Sequence, residues 1–148
     1  MVKKKKKAQK TVQARESCAE LVAPHLKGRM EDLRQLWDAY ERGNDDGVEG
    51  LGTFHEYGLC FDYVTPGTFE GQTRGYFRYR LSWDGPSDEF RFFCAEGFEV
   101  TSVEYWYMDW FDGAKKVLEG DALDLMLEIW AHFLDTGTVQ AKYKEARG

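Results

Sequence analysis

Apolar residues recur along residues 11–42 as Cys18, Leu21, Val22, Leu26, Met30, Leu33, Trp37 and Tyr40. Steps of three and four place them on one helical face. Pro24 lacks a backbone N–H and restricts Ala23, so the pattern predicts a break or kink there and a firm helix over residues 26–42. Gly43-Asn44-Asp45-Asp46-Gly47 ends it with residues that tolerate turns. The period then changes to two. Leu59, Phe61 and Tyr63 alternate with polar neighbours, as do Phe77, Tyr79, Leu81 and Trp83, then Phe90, Phe92 and Cys94. A long fourth strand runs from Phe98 to about Phe111, with Val100, Trp106, Met108 and Trp110 on one side and Val103, Tyr105 and Tyr107 on the other.

Turns as short as Asp84-Gly85-Pro86-Ser87 and Glu96-Gly97 join only antiparallel neighbours, since parallel strands need a long crossover. A second helix follows, capped by Asp121, with Leu123, Met126, Leu127, Trp130, Phe133 and Leu134 at helical spacing and Gly137 at its end. The predicted fold is α+β: a four-stranded antiparallel meander with an N-terminal and a C-terminal helix packed on the sheet. Residues 1–10 are predicted to be a disordered basic tail, and 11–148 a single domain.

Charge divides the chain. Residues 1–15 carry seven basic groups and no acid, whereas residues 16–148 carry thirteen basic groups against 26 acidic ones, a net of −13. A body this acidic repels phosphates, while the arm of Lys3, Lys4, Lys5, Lys6, Lys7 and Lys10 attracts them. Cys18, Cys60 and Cys94 are odd in number and widely spaced, which predicts a reducing, cytoplasmic setting rather than a disulfide framework. The lysines are not followed by an apolar segment, and no stretch is long enough to span a bilayer, so neither export nor a membrane partner is expected.

Catalytic chemistry has no signature here. Phosphate-binding glycine loops and nucleophile elbows are absent, and His25, His55 and His132 are isolated in sequence, so no metal, cofactor or catalytic residue is predicted. Arg74-Gly75-Tyr76 begins like an RNA-binding strand motif, but Phe77 stands where a small residue belongs. Arg78 and Arg80 are expected instead to pair across strands with Glu89 and its acidic neighbours. The Glu104–Asp112 run admits two readings. It is a strand covered on both faces, or its tyrosine face is partly exposed as an anchor.

Gly75-Tyr76-Phe77-Arg78-Tyr79, Gly85-Pro86-Ser87-Asp88-Glu89-Phe90-Arg91-Phe92 and Glu104-Tyr105-Trp106-Tyr107-Met108-Asp109-Trp110-Phe111 resemble small accessory proteins of bacterial plasmids, integrative elements and phages, over roughly residues 50–112. The resemblance implies an accessory role in a mobile element, often inhibition of host defence of the anti-CRISPR or anti-restriction type. The expected function is therefore a non-enzymatic inhibitor that binds a bacterial protein or ribonucleoprotein defence complex through an acidic, partly nucleic-acid-mimicking surface. Its candidate contacts are Asp84, Asp88, Glu89, Tyr105, Tyr107, Asp109 and Asp112. The alternative is a nucleic-acid-associated regulator of a mobile element that uses the Lys-rich arm.

Overall fold

The computed structural model describes residues 17–83 and 85–148; the Lys-rich arm and Asp84 lie outside them. Helix α1 spans Cys18–Glu41. Ser17 caps it in a reciprocal box: its hydroxyl accepts from Glu20 N, and Glu20 Oε1 accepts from Ser17 N at 2.9 Å. The predicted break at Pro24 does not occur, and the helix runs through it. Pro24 is exposed, so the carbonyl that it leaves without a donor faces water, while Cys18 and Val22 on the other face are buried and hold the first turns down.

A short helix α2, Phe54–Tyr57, leads into the sheet. Its strands are β1 (Cys60–Val64), β2 (Tyr76–Ser82), β3 (Ser87–Ala95), β4 (Glu99–Asp109) and β5 (Asp112–Val117). They lie in sequence order as an antiparallel meander of five strands, not four. The long strand predicted from Phe98 to Phe111 is in fact β4, ended by a turn, with β5 returning along it from Asp109↔Asp112 to Glu104↔Val117. Almost every residue of β5 is exposed, so no alternation marks it. Trp83 also falls outside its predicted strand, 53% exposed with Arg80 stacked on it at 4.4 Å.

Helix α3 spans Gly120–Asp135, with Glu119 rather than Asp121 at the cap, and Gly137 in left-handed backbone turns the chain into a further helix, α4 (Thr138–Arg147). Helix α4 brings only Val139 and Tyr143 to the core, too few apolar residues to register as a period. All three long helices cover one face of the sheet. Phe61, Phe77, Tyr79, Phe90, Phe92, Val103, Tyr105 and Tyr107 point into that layer and meet Leu33, Leu36 and Trp37 of α1 and Leu125, Ile129 and Trp130 of α3. The ring of Trp130 stacks on Phe92 at 5.0 Å and meets Phe77 edge-on at 5.1 Å. The tyrosine side of β4 is therefore the covered side: Tyr105 is 0% and Tyr107 5% exposed. Val100 changes sides too, because the register shifts between Phe93 and Cys94 and turns it towards the core. No helix among the described residues is long and apolar enough to cross a membrane.

Candidate functional site

Only Trp110 and Phe111 join β4 to β5, because Asp109 pairs with Asp112. Two-residue hairpin turns favour Gly, Asn or Asp where φ is positive. Here a tryptophan occupies that conformation, with φ +56°. Left-handed backbone at a bulky residue costs on the order of 1–3 kcal/mol. Both side chains also project into solvent, Trp110 80% and Phe111 102% exposed. Full burial of a phenylalanine is worth about 1.5–3 kcal/mol, which this position forgoes. Phe98 offers the contrast. Its φ of +65° is equally unusual, but its ring packs against Tyr143 and Phe77 and its carbonyl accepts from Trp130 Nε1 at 3.2 Å. At Phe98 the packing offsets the strain; at Trp110, 80% exposed, no ring contact or side-chain hydrogen bond among the described residues does.

The tip is held in place. Asp112 Oδ2 accepts from the Cys18 backbone N–H at 2.8 Å, which satisfies one of the free donors at the start of α1. That bond draws the Asp112 carboxyl below its ordinary range. Burial, reinforced by Asp112, pushes the Cys18 thiol up. The hairpin is thus pinned to the helix start, and the described chain begins at Ser17 beside it.

The expected acidic contact surface separates into two populations. Asp109 and Asp112 flank the tip, Asp112 exposed and Asp109 partly so. Asp88 and Glu89 are internal, 2% and 1% exposed, and adjacent residues of β3 send them to opposite faces. On the helix side, Asp88 takes Arg29 in a fork at 2.7 and 3.0 Å, and Ser82 Oγ and Tyr105 Oη each donate to it at 2.5 Å. Burial opposes its ionisation, but these bonds prevail and hold the carboxyl below its usual range. Tyr57 continues the network, donating to Asp32 at 2.7 Å and accepting from Arg29, and burial lifts its hydroxyl to about 12. Burial also raises Tyr105. Tyr107 stacks on His25 at 4.3 Å. Asp88, Glu89, Tyr105 and Tyr107 therefore hold the fold together and are covered from a partner; a turn-like sequence around Asp88 concealed arginines distant in the chain.

No helix among the described residues lies over the other face of the sheet. Glu89 lies there beneath two arginines, 2.7 Å from Arg91 Nε and 3.5 Å from Arg80 Nη2, and Arg78 forks onto Asp62 at 2.8 and 3.0 Å. The expected cross-strand pairs are present. Arg91 is sandwiched between Tyr76 and Trp106, at 4.7 and 4.1 Å, and Arg74 lies over Phe93. The loop after β1 and this face enclose a groove of about 490 Å³, with half-exposed Phe69 at its lip.

Burial raises all three cysteine thiols, Cys94 to about 12, which disfavours their thiolate forms. Among the described residues no three His, Cys, Asp or Glu side chains converge as a metal site. Two histidines do meet: His55 Nε2 lies 3.3 Å from His132 Nε2, although 77 residues separate them. Comparison with family models, with curated proteins and with solved structures finds no match for this chain.

Proposed function

We propose that the chain is a non-enzymatic binding protein that docks on a partner protein through the β4–β5 tip, and that the partner is a bacterial defence complex, the class implied by the resemblance over residues 50–112. One observation carries the docking reading: Trp110 and Phe111 stand exposed on a strained turn that Asp112 ties to α1. Tryptophan is enriched among the residues that dominate binding energy, because it combines large apolar area with a hydrogen-bonding edge. Asp109 and Asp112 would meet cations at the rim, and the acidic body would speed encounter with a basic groove. The contact is thus an aromatic anchor with a carboxylate rim, in place of the broad acidic array expected from sequence.

The test is a titration of Trp110→Ala/Phe111→Ala against a partner purified from nuclease-treated bacterial lysate. The expected result is affinity at least about 30-fold weaker, corresponding to about 2 kcal/mol, with an unchanged or higher Tm. Equal affinity in the two proteins would remove the tip from the interface and sink the reading.

A second reading, a nucleic-acid-associated regulator whose Lys-rich arm contacts phosphates, draws in addition on the uncovered face. Arg74, Arg78, Arg80, Arg91 and Lys115 gather there among Asp62, Glu70, Glu89, Glu99 and Glu104, in a body that is otherwise strongly acidic. Guanidinium planes lying on aromatic rings suit stacking with bases. Most of these cations are already paired, which ranks this reading second.

A further inference from the structure

We propose that His55 and His132 form a two-imidazole site for a borderline divalent transition-metal ion such as Ni²⁺, Zn²⁺ or Cu²⁺, with water filling its remaining positions. The geometry comes first. Two nitrogens bound about 2.0–2.1 Å from one metal at a tetrahedral angle lie about 3.3–3.4 Å apart. The two Nε2 atoms stand at 3.3 Å. As they stand, the Nε2–H of one ring hydrogen-bonds to Nε2 of the other; with that ring's proton carried on Nδ1 instead, a metal ion needs only a tilt of each ring so that both Nε2 lone pairs meet it. His55 is exposed on short α2 and has room to tilt.

Orientation is provided by neighbouring rings rather than by luck of rotamers. Tyr40 meets His55 edge-on at 4.9 Å and His132 at 5.1 Å, while Phe54 and Trp37 also pack on His132, at 6.0 and 5.4 Å. Metal sites need their ligands held in this way, because loosely held imidazoles lose conformational entropy on binding. The electrostatics agree with a cation. His132 opens on a cleft of about 640 Å³ bordered by Glu41, Asp45, Glu128 and Asp135, and Asp45 also borders the hollow beside His55. Carboxylates lining the clefts beside the two rings raise the local concentration of cations. Imidazole rather than carboxylate ligation selects Ni²⁺, Cu²⁺ and Zn²⁺ over Mg²⁺ or Ca²⁺. The site joins α2 to α3, so occupancy would cross-link the segment before the sheet to the helical layer.

The experiment is calorimetric titration of the full chain with Ni²⁺, alongside thermal unfolding with Ni²⁺, Zn²⁺ and Mg²⁺. One metal per chain is expected, with a Tm rise of about 4 °C or more once Ni²⁺ is at 100 times its Kd, and no response to Mg²⁺. His55→Gln removes one ligand at an exposed position and should weaken Ni²⁺ binding at least about tenfold; His55→Gln/His132→Gln should abolish it. Cu²⁺ bound to the wild-type chain should show coupling to two nitrogens by electron paramagnetic resonance. Full Ni²⁺ affinity in His55→Gln, an equal response to Mg²⁺, or single-nitrogen coupling overturns the site. Because none of these readouts involves a partner protein, failure here leaves the tip reading standing.

Discussion

Asp88 illustrates how a single residue is committed by its surroundings. Its neighbour Glu89 faces the open side of the sheet, and Asp88 faces the helices, where Arg29 meets it across 59 residues of sequence. Removing its charge leaves Arg29 without its fork partner, and Asp88→Asn should cost about 2–4 kcal/mol in urea unfolding at pH 7. The sign of the pH dependence follows from the lowered carboxyl. Its stabilisation is fully present above the unfolded-state value of about 3.9 and is lost as pH falls through the lower folded value. The stability gap between wild type and Asp88→Asn should therefore be flat above about pH 5 and shrink as the solution is acidified below about pH 4. A gap that stays constant down to pH 2.5 would mean that Asp88 is not held ionised by this network. Sequence could place Asp88 and Glu89 only beside a turn. Alternation told that Tyr105 and Tyr107 share a side, but which side the helices cover is decided by α1 and α3, beyond any local pattern.

At the scale of elements, legibility follows the density of apolar residues. Helix α3 and strands β2 and β3 were readable because a full stripe of each is buried. Strand β5 and helix α4 were not, since β5 is an exposed edge and α4 contributes two core residues. The β4–β5 tip escaped for a related reason. Its two aromatics continued a run of aromatics, and nothing local announced that the strand ends at Asp109. Turn chemistry gives this hairpin a direct test. Replacing Trp110-Phe111 by Asn-Gly removes the left-handed tryptophan and the exposed rings and installs a favoured two-residue turn. Stability should rise by about 1–2 kcal/mol while partner affinity falls as in the alanine variant. A destabilised Asn-Gly variant would show that the aromatics support the fold after all. The opposite movement of stability and binding is the signature of residues kept for an outside contact.

For the molecule as a whole, the opposed charges of arm and body supply the decisive comparison between the two functional readings. The expected disorder of residues 1–10 falls outside the described residues, and its consequence is measurable without describing them. Removing residues 2–10 deletes six lysines and no residue of α1, of its cap at Ser17 or of the Asp112 bond. Tm should therefore change little. If the tip docks on a protein, Kd for that partner should stay within about threefold, because contact energy resides in a few buried anchors while distant charges act mainly on the association rate. The association rate itself should fall steeply between 50 and 300 mM salt, as the Debye length drops from above 10 Å to about 6 Å and the body's acidity is screened. Under the regulator reading the same deletion should abolish binding to single-stranded nucleic acid and flatten the dependence of affinity on salt, since each lysine that neutralises a phosphate releases a counterion. Deletion that destroys nucleic-acid binding and spares nothing at the tip would move the function to the arm; deletion that leaves a salt-steered, tip-dependent complex would keep it at Trp110 and Phe111.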